Sequence, residues 1–156
     1  VSGQPLKLRP YAAADEEPAI ELWLRAWQAA YPAIDFSERL PWWRARWRTE
    51  LVPRARIVVA ELEGALAGFA TIDPENGYLD QIVVAPECWG GDAAARLLDE
   101  VKRIAPGQVE LLVNADNARA IRFYQKHGFA HAGNDVNPVS GRPVYRMRWR
   151  RSTASQ

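Results

Sequence analysis

The stretch "LDQIVVAPECWGGDAAARLL", residues 79–98, decides the fold. It opens with a short apolar run through Val84 that Pro86 closes, and this reads as a strand. It ends with an Ala/Leu run that reads as a helix starting near Gly91. Between them lie Trp89 and two adjacent glycines, Gly90 and Gly91. A strand, two glycines and a helix have two readings. One is a tight turn. The other is a seat for an anion, because the first N–H groups of a helix are unpaired and lie at the positive end of its dipole. Glycine lets a ligand come close to them because it has no Cβ. The spacing is neither Gly-x-x-x-x-Gly-Lys-Ser/Thr nor Gly-x-Gly-x-x-Gly.

Upstream, Leu6 to Arg9 alternates and predicts a first strand. Asp15 is placed to cap a helix in which Ile20, Trp23, Leu24, Trp27 and Tyr31 recur at helical spacing. Ser37 opens a second helix with Leu40, Trp43, Trp47 and Leu51 on one face, and Pro53 ends it. Arg44, Arg46 and Arg48 fall on its other faces, as a solvated set. Next, "RIVVAELEGALAGFATID" predicts a hairpin turning at Glu63-Gly64, with a bulge near Gly68. Downstream of the deciding stretch come a strand at "QVELLVN", a helix from Asn117 through Lys126, a left-handed C-cap at Gly128 and a final hairpin.

The strand before the glycines, the helix after them and the strand that follows form a crossover, so those two strands run parallel. The expected class is therefore α/β (α+β): a mixed, mostly antiparallel central sheet of 6–7 strands with helices on both faces. Residues 1–150 read as a single domain and 151–156 as a loose tail. A chain of 156 residues can bury roughly 68–70% of the surface it exposes when unfolded.

Composition narrows the function. Net charge is +1, so no global field selects nucleic acid or an anionic membrane. The basic, Trp-rich runs "WWRARWR" and "RMRWRR" have the chemistry to meet a nucleic acid, but their helical core spacing and the balanced charge count against it. The single cysteine, Cys88, fits a reducing compartment. No run reaches the ~20 apolar residues of a membrane span, and the start "VSGQPLKLRP" lacks a signal-peptide pattern. The expectation is a cytoplasmic protein. His127 and His131 make no metal spacing, so no metal site is expected.

Two blocks carry a family resemblance. Residues 79–98 resemble the acyl-CoA-binding segment of the GNAT-superfamily N-acetyltransferases. Val84-Ala85-Pro86 matches the strand end, Trp89 takes the Gln/Arg position, and Gly90 and Ala94 match small residues of the loop. Asp92 departs from the pattern by standing where a glycine is usual. The second block, "NADNARAIRFYQKHGF", is similar to the family's later segment at Asn117, Ala120, Phe123, Tyr124, Gly128 and Phe129.

The resemblance implies acetyl-CoA as co-substrate and an N-acetyltransferase that acts on a small-molecule or peptide primary amine by direct attack in a ternary complex. It implies that the two parallel strands splay. The backbone of Ile82, Val83 and Val84 then binds the pantetheine arm, with Val83 N–H facing the oxyanion. The N–H groups of Trp89, Gly90, Gly91, Asp92, Ala93 and Ala94 hold the pyrophosphate, and Arg96 offsets the Asp92 charge. Asn117 contacts the arm and also caps its helix. Tyr124 is implied as the acid that protonates the departing thiolate; its helical spacing alone also allows a core aromatic. Asp80, on the strand where the family often keeps an acid, is the expected base through water, and Tyr78 occupies the strictly aligned place. Trp27, Tyr31, Phe36 and Trp42 are expected to wall the acceptor pocket. A homodimer is compatible with the resemblance. The competing function is a non-catalytic acyl-CoA sensor, motivated by Asp92 and the lack of an obvious base.

Overall fold

In the computed structural model, which describes residues 5–152, seven strands form two antiparallel sheets. The first contains β1 (Lys7–Pro10), β2 (Arg56–Leu62), β3 (Ala65–Ile72) and β4 (Leu79–Val84), in that order. The second has the order β5 (Gln108–Asn114), β7 (Pro143–Arg150), β6 (Ala130–Val136). The sheets meet at one parallel bridge, Tyr78 to Glu110, where Glu110 N–H donates to Gly77 C=O at 2.9 Å. The crossover is as expected; the pairing between its strands is confined to their beginning.

The period-two alternation of the strands sorts side chains onto two faces. Ile57, Val59, Phe69 and Val83 join one core with Trp23, Phe36, Trp43 and Trp47. That core lies under α1 (Glu16–Ala30) and α2 (Leu40–Arg46). Val58, Ala60, Ala70 and Leu79 join the other core, with Leu97, Leu98 and Val101 of α4 (Ala93–Ile104) and Tyr124 of α5 (Ala118–Lys126). The helical run after α2 does not stop at Pro53. It passes through a π-helical turn, Trp47–Leu51, into the single turn α3 (Val52–Arg54), which carries Pro53 in its first turn, where no N–H is needed.

The hairpin turn at Glu63 and Gly64 has φ of 54° and 82°, the two left-handed residues of a type I′ turn. The expected bulge is present: Ala60 faces Gly68 and Glu61 faces Leu66, which leaves Ala67 as the extra residue. Gly68 is small for a separate reason. A Cβ there would come within 2.7 Å of the Val83 carbonyl oxygen and 3.0 Å of Leu97.

Asp15 stands at the N-cap of α1 without capping it. Its carboxylate instead accepts from Arg9 at 2.8 and 2.9 Å and from Ala12 N–H at 2.8 Å, and a bidentate guanidinium outcompetes a cap bond. The arginines of α2 and the turn after it also differ from a solvated set. Arg44 pairs with Glu17, Arg48 with Glu16, and Arg46 with Asp80. Of the expected tail, Arg151 is tied to the Gly107 and Lys102 carbonyls, while residues 153–156 lie outside the described residues. Among the described residues, no helix is long and apolar enough to cross a membrane.

Candidate active site

Strand parity fixes which backbone groups face the space between β4 and β5. Ala85 N–H donates to Ala67 C=O on β3, and the Val83 carbonyl also points at β3, toward Gly68. In an antiparallel strand, residues two apart present both backbone groups to the same side. Ile82 and Val84 therefore face away from β3, toward β5, and Val83 does not. This corrects the expectation that Val83 N–H meets the oxyanion: it serves the sheet. On β5, Glu110 N–H faces β4, so Leu112 and Asn114 face it too. Beyond the Tyr78–Glu110 bridge these two edges diverge into a cleft of about 380 Å³ lined by Ile82, Leu112, Asn114, Asn117 and Tyr124.

The glycine pair sits at the far end of β4. Gly90 has φ of 88°, which a side chain would strain, and no atom lies near the place a Cβ would occupy. Gly91 has no such φ. The turn reading thus accounts for Gly90 by backbone conformation, and the open space above it leaves room for a ligand. Trp89 N–H donates to Pro86 C=O and Gly91 N–H to Cys88 C=O, both at 3.2 Å. The first helical bond runs from Arg96 N–H to Asp92 C=O, so the N–H groups of Ala93, Ala94 and Ala95 precede the helix ladder and are among the donors it leaves open. Asp92 is exposed at the N-cap. Arg96 does not turn to it; its guanidinium donates to the Leu6 carbonyl at 2.7 Å. The Trp89 indole N–H donates to Val84 C=O at 2.9 Å, and Arg119 of α5 lies 5.4 Å over the same ring.

Asn117 caps α5, accepting from Ala120 N–H at 3.1 Å. One helical turn beyond Ala120, Tyr124 is buried against Phe123 and Phe129, and burial pushes its phenol well above the usual value near 10. It belongs to the core and to the cleft wall together, so the two readings of its helical spacing coexist. Asp80 also lines the cleft. Both its oxygens accept from Arg46, at 2.6 and 2.8 Å, and Gln81 adds a third bond at 3.2 Å. Tyr78 is pushed up to about 12, first by burial and then by the Asp80 charge.

The expected acceptor residues converge. Trp27, Tyr31, Phe36 and Trp42 line one pocket of about 130 Å³ that adjoins the cleft. Phe36 is buried, Trp42 is 44% exposed, and the Trp27 and Tyr31 rings stack at 5.8 Å. Tyr31 OH accepts from Asn114 at 3.0 Å, which links α1 to the end of β5.

Sequence reasoning missed three contributors. Arg46 was placed among solvated arginines, although its position one turn before Glu50 gave no sign that it reaches β4. Asn114 ends β5 with no local pattern to mark it. The β6–β7 loop contributes Asn137, Val139 and Arg142 to the pockets through a contact between distant segments.

Comparison with known proteins gives a consistent picture. The family described as "Acetyltransferase (GNAT) family" matches residues 17–129. A mycothiol acetyltransferase of Kineococcus radiotolerans is 31% identical over 87% of this chain and 46% of its own length. An uncharacterized N-acetyltransferase of Mycobacterium tuberculosis is 36% identical over 49% of this chain and 54% of its own. The chain thus spans about half the length of the curated relatives it matches. Among solved structures, the PaiA N-acetyltransferase of Thermoplasma acidophilum in complex with coenzyme A superposes with a TM-score of 0.73 at 20% identity, over 94% of this chain and 99% of that one. Apo YjaB of Escherichia coli does so with 0.75 at 21% identity, over 95% and 99%. These likenesses show the fold.

Proposed function

The chain belongs to the GNAT acetyltransferase family, and from that premise we propose that it moves the acetyl group of acetyl-CoA to a primary amine of a small molecule or peptide by direct attack. The observation that carries this reading is the divergence of β4 and β5, with unpaired strand edges on both sides and the Tyr124 phenol in the wall. The residues fit the donor. Ile82 and Val84 offer an edge for the amides of a pantetheine arm, although the Trp89 indole must release Val84 C=O before that group can accept. Ala93 and Ala94 N–H offer the helix terminus to a pyrophosphate, and Asp92 must keep its carboxylate outward.

In the reaction the amine nitrogen bonds to the thioester carbonyl carbon and the carbon–sulfur bond breaks. The departing thiolate takes the Tyr124 proton. The developing oxyanion is met by N–H of Ile82 or Val84, the two that face the cleft. The nitrogen gives up its proton through water to Asp80. Arg46 engages both oxygens of that carboxylate, but a carboxylate has about four lone-pair sites and so keeps some free. Arg46 therefore positions Asp80, the base, without occupying all of it.

The acceptor pocket is the aromatic recess of Trp27, Tyr31, Phe36 and Trp42. The name of the relatives makes a mycothiol-type small molecule one acceptor to try. A second reading, a non-catalytic acyl-CoA sensor, draws support from the Arg46 bonds on Asp80, the one carboxylate lining the cleft among the described residues. Thiol release from acetyl-CoA across an amine panel separates the two. Transfer is expected, and Tyr124→Phe should reduce turnover by about 10²–10⁴-fold while donor binding persists. Donor binding with no transfer to any amine would favour the sensor.

A further inference from the structure

The aromatic pocket has a charge that its walls alone do not explain. Two arginines, Arg39 and Arg142, line it, and among the described residues no Asp or Glu does. Arg142 is paired with Asp116 at 2.5 Å. Arg39 has no carboxylate at ion-pair distance among the described residues; its guanidinium carbon lies 4.9 Å from the centre of the Phe36 ring. Arg142 lies similarly over Tyr31, at 5.3 Å. Two of the ring faces that would attract a cationic ligand are thus already covered by the protein's own cations. The indole N–H of Trp43, a third lining residue, is buried without a hydrogen-bond partner. The pocket therefore carries positive charge with no acidic lining to offset it among the described residues.

The recess is continuous with the reaction cleft. Trp27, Trp42, Gln81, Asn114, Asn137 and Val139 line both. An acceptor whose amine reaches the Tyr124 and Asp80 end therefore lays its remaining body along Trp27 and Trp42 and its far end beside Arg39.

We propose that the acceptor is an amino carboxylate with an apolar or aromatic skeleton, its carboxylate taken by Arg39 and its amine presented to the thioester. This rests on the acetyl-transfer reading and narrows its substrate class. The chemistry is unchanged: a C–N bond forms, the C–S bond breaks, the thiolate gains a proton from Tyr124 and the amine loses one toward Asp80. Polycations such as polyamines and aminoglycosides are disfavoured, because their second charge would meet two arginines in a recess with no acidic lining.

The test compares matched pairs that differ by a carboxylate at the end remote from the amine: 4-(aminomethyl)benzoate with benzylamine, and 4-(2-aminoethyl)benzoate with phenethylamine. Spermidine is the cationic control. The readout is kcat/KM for thiol release in the wild type, in Arg39→Gln and in Arg39→Lys. Comparing the pair ratio between proteins cancels the intrinsic basicity of each amine. The wild type should prefer the carboxylated members over spermidine. Arg39→Gln should lower the carboxylated-to-decarboxylated ratio by about 10- to 100-fold, and Arg39→Lys should restore part of it. An equal acetyl-CoA thermal shift in all three proteins reports that they fold alike. A ratio that Arg39→Gln leaves unchanged overturns the proposal, as does a wild-type preference for spermidine or for the decarboxylated members; in both cases transfer itself stands. Absence of any acetyl-CoA shift overturns the acetyl-transfer reading and this inference with it.

Discussion

A phenol can serve as an acid only while it holds its proton, and burial favours the protonated form of Tyr124, the acid in the proposed reaction. Its pKa is raised above the ordinary value near 10 because the phenolate would be charged in an apolar wall. Deprotonation of Tyr124 should therefore not limit kcat in the ordinary alkaline range, and a profile measured to pH 10 should show no falling limb. A limb at pH 8–9 that disappears in Tyr124→Phe would contradict this. Asp80 makes a different prediction. Asp80→Asn should lower kcat/KM by about 10²–10⁴-fold while acetyl-CoA binding persists. If the residue only braces Arg46, the variant should lose thermal stability and keep its rate profile. Legibility at this scale depended on whether a residue acts through its neighbours in sequence or across space. Tyr124 and Asn117 fall in a motif on one helix and could be placed from sequence. The Arg46–Asp80 pair spans 34 positions, and nothing local to Arg46 distinguishes it from Arg44 or Arg48.

At the scale of elements, the cleft depends on where β4 and β5 are held together. Gly77 is at that point, with φ of 78°, and a Cβ there would collide with the Gln108 carbonyl. Gly77→Ala should cost roughly 2–4 kcal/mol in urea denaturation, from the strained φ and the clash together. An undiminished midpoint would show that the bridge is not a structural tie. The strands and helices themselves were legible because alternation and helical spacing are local. Val58 and Val59 belong to opposite cores for that reason. What periodicity did not reveal was side choice along an edge strand. Whether Val83 or its neighbours face the cleft depends on which partner β4 takes, and only the pairing with β3 settles it. The continuation past Pro53 was hidden because proline is tolerated in a first turn, and the sequence alone does not tell a new turn from a stop.

For the whole molecule, acid should loosen the first sheet through Asp15. Arg9 hydrogen bonds, more than any other cause, hold this carboxyl below its ordinary range. A group whose folded pKa is depressed adds stability above its unfolded pKa and loses it as pH falls through the folded value. Stability measured by denaturant should thus decline as pH drops below about 4, and Asp15→Asn should shrink that decline. An identical acid response in the variant would place the sensitivity elsewhere. The class of the fold was readable from element order, which strands, glycines and prolines punctuate. The partition into two sheets was not, because it comes from one missing stretch of pairing rather than from any residue.

That missing stretch leaves the two sheets as neighbours sharing a single rung. Amide hydrogens of Ile82, Val84 and Leu112 point into the opening instead of toward a partner strand, so deuterium should replace them early while Val83 and Leu111 lag. A thioester donor lying between the edges would act as a temporary eighth strand and slow that replacement on both sides. The protein's cohesion would then vary with supply of its own reagent, tightest when loaded and most open to isotope between turnovers.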